Sequence, residues 1–200
     1  FAYPQLPIGA FYFNAKTKSF NLPKVGEVRI VINRFLEGTP KTATIKCTPV
    51  GKWYITIVCE VELPKILPLS KEGVGIDVGL KTFATLSNGE KIKNPRFFKK
   101  EEKELARVNR NLSKTTKGTP ERKSRRNILA RIHERISNKR DNFSHQESKK
   151  IINRYSFISI EDLKPKGLIE KKEFSKSISD AAWSKFIFNL VYKAENAGRV

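Results

Sequence analysis

Runs of hydrophobic and β-branched residues, separated by polar turn residues, follow one another through the first third of the chain. Phe20–Pro23 and Val28–Ile32 are two such runs and predict short strands. Thr42–Cys47 and Trp53–Val61 flank a Pro-Val-Gly-Lys turn at 49–52, which predicts a β-hairpin. Several short strands with turn signals between them favour a small β-barrel or a piece of one.

The spacing of hydrophobic residues changes at Val74, beyond a proline-containing stretch that predicts a linker. Two apolar strands fill 74–86 and end in a Ser-Asn-Gly turn, and Glu90–Lys93 predicts a third strand. Phe157–Ile160 predicts another. The residues 177–180 open a final helix, whose predicted apolar face consists of Trp183, Phe186, Ile187, Leu190, Val191 and Ala194.

The region from Phe97 to Tyr155 has helical spacing with one interruption. A Thr-Gly-Pro-containing stretch at 115–120 breaks the pattern and permits a helical hairpin. Thr119 is the predicted N-cap of the second helix, and Pro120 takes its first helical position. The two predicted apolar stripes are Leu105, Val108 and Leu112 on the first helix, and Ile128, Ile132 and Ile136 on the second.

Positive charge is the most extreme property of the composition. The formal net charge is +20, and residues 91–154 contain 21 lysines and arginines against 7 acidic residues. No run approaches the roughly 18 apolar residues of a membrane span, so nucleic acid is the favoured partner rather than a membrane. The predicted phosphate contacts on the second helix are Arg122, Lys123, Arg125, Arg126, Arg131, Arg135, Lys139 and Arg140.

Two carboxylates stand on apolar strands of this basic chain. Asp77 lies within the strand that starts at Val74 and looks buried, and Glu161 directly follows Phe157–Ile160. A buried carboxylate is costly unless a metal ion or a cation compensates its charge. Mg²⁺ prefers oxygen ligands, and a pair of divalent ions about 4 Å apart supports phosphodiester hydrolysis. The pattern therefore predicts a divalent-metal site that faces a polyanion, with Asp77 and Glu161 as catalytic and metal-binding residues.

The same residues allow two other interpretations. The Gly-Ile-Asp-Val-Gly sequence at 75–79 is also typical of the phosphate loop in actin-like ATPases, where the aspartate works beside Mg²⁺-ATP. Alternatively, Asp77 caps a strand turn and holds no metal. The basic helical hairpin argues against the ATPase.

Five segments together resemble the TnpB family, which insertion sequences encode and which is related to type V CRISPR effector nucleases. Gly75–Lys81 is similar to the first motif of the family's RuvC domain, and Ile160–Lys164 is similar to the second. The three remaining segments are Arg131–Arg140, Ser177–Trp183 and Cys59–Glu62, which resemble the helix after the first motif, the following helix start and the end of the wedge domain.

The resemblance implies an RNA-guided, Mg²⁺-dependent DNA endonuclease with an Asp-Glu-Asp catalytic set. Asp77 and Glu161 match the first two members. In the family the third aspartate lies beyond a zinc ribbon, and we expect the ribbon and this aspartate past Val200. Zn²⁺ is therefore expected only in that ribbon, and the piece 1–200 is expected to be inactive alone. Asp162 would point away from Glu161 on an extended strand, and we do not expect it to substitute.

The resemblance also implies an α+β fold in two parts. Residues 1–66 would form a wedge-type β-barrel fragment, 67–71 a linker, and 72–200 an incomplete RNase H-like domain with an inserted basic helical hairpin. The partners would be a guide RNA and target DNA, in a cytoplasmic, nucleoid-associated protein. Aromatic residues of the wedge part could stack on bases, although most are expected in its core: Phe11, Tyr12, Trp53 and Tyr54. The alternative function is a non-catalytic RNA- and DNA-binding module. The sequence does not predict the oligomeric state.

Overall fold

The computed structural model of the chain shows a mixed α+β architecture, as predicted. It describes residues 12–14, 17–22, 25–34, 36–62, 66–68, 72–161 and 175–200. The chain divides into two compact units, Phe1–Pro64 and Lys65–Val200. Among the described helices, none combines the length and the apolar composition that crossing a bilayer requires.

The first unit contains two antiparallel sheets. The strands of the three-stranded sheet pair in chain order, and the two-stranded sheet is the predicted hairpin. Within the described residues these sheets do not close into the expected barrel. Their small shared core contains Phe20, Leu22 and Ala43. The strands are β1 Tyr12–Asn14, β2 Ser19–Leu22, β3 Gly26–Arg29, β4 Thr39–Cys47 and β5 Trp53–Glu60.

The aromatic residues at the start of β5 do not belong to this core. Trp53 is 60% exposed and Tyr54 is 48% exposed, so for these two the expectation of core packing is wrong. They lie next to the hairpin turn, where Trp53 pairs with Cys47 across the strands. Phe11 and the side chain of Tyr12 lie outside the described residues.

The second unit is built on a four-stranded sheet. Its strands are β6 Gly73–Val78, β7 Thr82–Leu86, β8 Lys91–Lys93 and β9 Phe157–Ile160, arranged in the order β8-β7-β6-β9. The first three form an antiparallel meander, whereas β9 returns after the helical hairpin and pairs parallel to β6. In the sequence, β7, β8 and the helical hairpin therefore all lie between two strands that are neighbours in the sheet.

The helical hairpin follows the prediction closely. It consists of α1 Phe97–Ser113 and α2 Pro120–Arg154. Thr119 is the N-cap of α2, and its hydroxyl accepts a hydrogen bond of 3.2 Å from the backbone N–H of Arg122. This cap satisfies one of the backbone N–H groups that a helix start leaves without a helical partner, and Pro120 has no N–H to satisfy.

The apolar stripe of α2 differs from the prediction at one position. Ile132 and Ile136 are buried against Leu105 and Val108 of α1, but Ile128 is 40% exposed. Residues four apart advance by about 400° on a helix of 3.6 residues per turn, so such a stripe rotates by about 40° at each step. Leu129 faces α1 in place of Ile128.

The main core of this unit lies on one face of the sheet. Val74, Ile76 and Val78 alternate along β6 and point into it. A β-bulge interrupts the pairing of β7 with β8 between Thr82 and Ala84, which leaves Phe83 as the extra residue. The bulge re-aims Phe83 into the core, where its ring packs edge-on against Phe143 and Phe186.

The predicted final helix is broken into two. These are α3 Ser175–Ala181 and α4 Trp183–Ala197, separated by Ala182 in a left-handed conformation with φ of 54°. Val191, expected on the apolar face, is 49% exposed. Asn189 is buried instead, because its amide donates a 2.8 Å hydrogen bond to the hydroxyl of Ser144 on α2.

A buried arginine fastens the start of this unit to its end. The guanidinium of Arg199 donates to the carbonyls of Ile152 and Pro68 and to the hydroxyl of Ser156. The backbone N–H of Leu67 also donates to the carbonyl of Ala197. Residues 67 and 68, part of the predicted linker, are thus hydrogen-bonded to the C-terminal segment, and 69–71 lie outside the described residues.

Candidate functional site

The parallel pairing of β6 with β9 brings the two predicted carboxylates to one place. Gly75 pairs with Ser159 and Ile76 pairs with Ile160. Continuing this register by one residue places Glu161 beside Asp77. Neighbouring strands lie about 4.8 Å apart, and side chains at matching positions point to the same face. Two residues 84 positions apart in the chain thus each directly follow a paired residue at the carboxyl ends of neighbouring parallel strands.

Both carboxylates are exposed, which corrects the expectation that Asp77 is buried. Val74, Ile76 and Val78 occupy the core face of β6, so alternation turns Asp77 to the opposite, open face. On β9, Phe157, Ser159 and Glu161 face outward in the same way. Exposure removes the argument that a metal must compensate a buried charge, but it leaves both carboxylates accessible to a hydrated cation.

The pair fits a Mg²⁺ ion only as part of a ligand set. Two adjacent carboxylates are hard oxygen donors, and Mg²⁺ retains several waters, which suits an open surface. The described ranges contain no group of three histidine, cysteine, aspartate or glutamate side chains placed to hold a metal. Asp162 lies outside the described residues. The two carboxylates are thus suitable ligands for Mg²⁺, but they make up only part of a complete ligand set.

Gly75 lies two residues before Asp77, on the same face of β6. A Cβ atom at Gly75 would meet nothing closer than Ser87, at 3.6 Å, which is an ordinary contact. Intramolecular packing therefore does not require glycine at this position. At Gly79 the situation differs, because a Cβ atom would lie 3.2 Å from the carbonyl oxygen of Thr82 in the tight turn. Of the two glycines, only Gly79 is required by a close contact within the chain.

Five of the eight predicted phosphate-binding cations have partners within the protein. Arg122 donates to the carbonyls of Leu112 and Thr115, which closes the end of α1 onto the start of α2. The other four form ion pairs: Arg125 with Glu121, Arg135 with Glu101 and Glu104, Lys139 with Glu101, and Arg140 with Asp180.

The ion pairs between the two helices centre on Glu101. Lys139 and Arg135 both contact its carboxylate, and their hydrogen bond and charges hold the pKa of Glu101 below its usual value. These two cations join α1 to α2. A role for them in phosphate contact stays a prediction, and it would require them to share their charge with Glu101.

Three of the eight cations are different. The side chains of Lys123, Arg126 and Arg131 are exposed, and none of them forms an ion pair within the described part of the chain. All three precede the segment of α2 that packs on the sheet. They are the members of the predicted set whose charge is fully available to a polyanion.

Arg140 belongs to a joint that the sequence did not reveal. Its guanidinium donates two hydrogen bonds, of 2.8 and 3.2 Å, to Oδ1 of the buried Asp180. The same carboxylate accepts the backbone N–H groups of Phe98 and Lys99 in the first turn of α1. Asp180 thus caps α1 from a residue more than 80 positions later in the chain, and no local capping signal could have indicated it.

Comparison with known proteins places the chain in a class. A family profile described as "Probable transposase" matches residues 56–172, more than half of the chain, and the match includes Asp77 and Glu161. The chain therefore belongs to this family of transposase-associated proteins, which is the TnpB family that the motifs indicated. Membership of this family replaces the ATPase interpretation of Asp77.

Two individual relatives of the chain are named as RNA-guided DNA endonucleases. A protein of Streptomyces pristinaespiralis named "Putative RNA-guided DNA endonuclease" is 35% identical over 160 residues, covering 80% of this chain and 40% of the relative. InsQ of Escherichia coli K12, which carries the same description, is 30% identical over 208 residues, covering 96% of this chain and 50% of the relative. The chain thus spans half or less of the length of these relatives.

Proposed function

We propose that the whole protein is an RNA-guided, Mg²⁺-dependent DNA endonuclease of a transposon, and that Asp77 and Glu161 are two of its catalytic carboxylates. The observation that carries the proposal is the parallel register of β6 and β9, in which the residue before Asp77 pairs with the residue before Glu161 and both carboxylates are exposed. The names of the relatives supply the reaction, RNA-guided DNA cleavage.

The two carboxylates have a defined task in this proposal. Each offers exposed oxygens to a hydrated Mg²⁺, which when bound neutralises charge on the phosphate and activates water. The described residues contain no group of three potential metal-binding side chains, so the remaining ligands would be water, the phosphate or residues outside the described ranges. The sugar-phosphate backbone of a DNA strand would approach the pair from the exposed face of β6 on which Asp77 lies.

Lys123, Arg126 and Arg131 have a separate task, which is to bind a phosphate backbone. They lie on the exposed side of α2 without ion pairs in the described part of the chain. Their contribution would be affinity rather than sequence recognition, because phosphate contacts carry no base information. Base pairing with the guide RNA would supply the specificity.

The test is cleavage of a guide-matched plasmid by the intact protein, copurified with its own RNA, in the presence of Mg²⁺. We expect Asp77→Ala and Glu161→Ala each to abolish cleavage while the RNA still copurifies. The matched control is Glu121→Ala, which removes an exposed carboxylate far along the chain from both sites and should cleave like wild type. Retained cleavage in either site variant would remove that residue from the catalytic set.

The second candidate is a non-catalytic RNA- and DNA-binding module. The observation that favours it is that the free cations of α2 need no metal and are independent of the carboxylate pair. Wild-type protein that retains its RNA but cuts no plasmid, with Mg²⁺ present, would support this function instead.

A further inference from the structure

A concave site rich in positive charge lies at the carboxyl end of β6. It is a cavity of about 330 Å³. Lys81 enters it from the β6–β7 turn, Arg96 and Lys99 from the start of α1, and Ser177 from α3. None of these residues was among the predicted nucleic-acid contacts, because they are dispersed over almost a hundred positions. We call this cavity the β6 pocket.

The three cations of the β6 pocket have their charge available. Lys81, Arg96 and Lys99 are all exposed, and none forms an ion pair within the described ranges. One carboxylate, Asp180, also lines the pocket. It is already bonded to Arg140 and to the first amides of α1, so it neutralises a cation outside the pocket. The charge left facing the cavity is positive.

Hydrogen bonds hold the two cationic segments of the pocket together. The side-chain amide of Asn94 donates to the carbonyl of Leu80 at 3.0 Å, and its oxygen accepts the N–H of Arg96 at 3.1 Å. The turn that carries Lys81 and the loop that carries Arg96 are thus joined by one side chain. The cations converge on the cavity through this framework. The α1 N-terminus does not create the site, because Asp180 already occupies it.

We propose that the β6 pocket binds a backbone phosphate of the DNA strand that lies at the carboxylate pair. The inference rests on the proposed function and adds a substrate subsite to it. Lys81 follows Asp77 by four residues, so their Cα atoms are at most about 14 Å apart. That span corresponds to roughly four nucleotides at 3.4 Å of rise per strand.

The chemistry of the pocket suits a phosphodiester. Two ammonium groups and a guanidinium supply charge-assisted hydrogen bonds, and the guanidinium can bind two phosphate oxygens at once. The hydroxyl of Ser177 adds a neutral donor. The carboxylate pair nearby repels a phosphate unless a cation is present. The β6 pocket would therefore hold the strand in place both before and after a metal ion binds.

The test measures the salt dependence of DNA binding by the chain, using fluorescence anisotropy of a labelled single-stranded DNA. The pocket variant is the double substitution Lys81→Gln, Lys99→Gln, which breaks no ion pair in the described part of the chain. The matched control is Lys100→Gln, Lys103→Gln, which removes two exposed lysines of α1 that do not line the pocket. Circular dichroism verifies that both variants fold.

The expected result is a shallower salt dependence in the pocket variant alone. Each lost phosphate contact lowers the log–log slope by roughly 0.7 on a single strand, so two contacts lower it by about 1.4. Over a fourfold rise in salt, that difference changes the affinity ratio by about sevenfold. The control should keep a slope close to that of wild type.

Three results would overturn the inference. Equal losses of slope in both double variants would mean that the pocket is no more than general surface charge. A loss of slope seen with RNA of the same sequence but not with DNA would mean that the pocket binds RNA rather than the DNA strand. Wild-type chain that binds no DNA would overturn both this inference and the proposed function. If the pocket variant shows the expected shallower slope but the intact wild-type protein cleaves no plasmid, only the proposed function is overturned.

Discussion

Removal of the Asp180 carboxylate is the most informative perturbation of the second unit. Asp180 accepts two backbone N–H groups of α1 and two hydrogen bonds from Arg140, while its own side chain is only 7% exposed. The variant Asp180→Ala therefore leaves the first turn of α1 uncapped. It also leaves the guanidinium of Arg140, whose side chain is 25% exposed, without its carboxylate.

The magnitude follows from these two losses. A helix cap contributes about 1 kcal/mol. Breaking a buried ion pair from one side costs roughly 3–5 kcal/mol, and the partial exposure of Arg140 reduces that figure. We therefore expect Asp180→Ala to lower the free energy of unfolding by about 3 kcal/mol. Arg140→Ala combined with Asp180→Ala should cost less than the sum of the single variants, because the two residues share one interaction.

Two assays check this expectation. Urea unfolding followed by far-UV circular dichroism gives the change in free energy, and hydrogen exchange reports the amides of Phe98 and Lys99 directly. The matched control is Glu121→Ala, which removes an exposed ion pair with Arg125 and should cost less than about 0.5 kcal/mol. An Asp180→Ala variant as stable as this control, with unchanged exchange at the two amides, would refute the reasoning.

Two further predictions concern α2. Ile136→Ala should cost about 2–5 kcal/mol because Ile136 is 2% exposed, whereas Ile128→Ala should cost less than about 1 kcal/mol, and thermal unfolding of both variants compares them. Burial and the nearby charges of Lys193 and Lys185 lower the pKa of His145 below its ordinary value. The unfolded chain then binds more protons as the pH falls below that value, so stability is lost on acidification, and His145→Gln should lose less between pH 7.5 and 5.5 in urea titrations at each pH. An equal acid loss in wild type and His145→Gln would contradict this account.

Local sequence signals predicted the helices and strands well. The cap at Thr119 and the hairpin break before it were readable because they depend on neighbouring residues only. The stripe on α1 was likewise confirmed at Leu105 and Val108. The prediction that Ile128 packs against α1 was wrong because a period of four residues is longer than the helical repeat of 3.6. Leu129 makes the contact with α1 instead.

Features that depend on topology were beyond the sequence. The apolar run around Asp77 suggested a buried aspartate, and only the packing of Val74, Ile76 and Val78 into the core shows that Asp77 lies on the other, exposed face of β6. The prediction that Asp77 and Glu161 form a metal site remains untested, although the register brings them together. Charge counting identified the basic hairpin but could not pair Arg140 with Asp180, since forty residues separate them.

The length of α2 has a mechanical consequence. Its 35 residues span about 52 Å, and only its second half packs on the sheet. Lys123 lies 21 residues before Ser144, or about 32 Å along the axis, so a tilt of about 5° at the sheet displaces the tip by about 3 Å. Such a tilt would move the free cations Lys123, Arg126 and Arg131 further than any part of α2 nearer the sheet, and α1, which packs on the first half of α2, would move with them. Arg140 lies between the cationic end of α2 and the segment on the sheet, and it joins α2 to Asp180 of α3, so a tilt of α2 would strain this ion pair before it displaced the strands that carry the carboxylates.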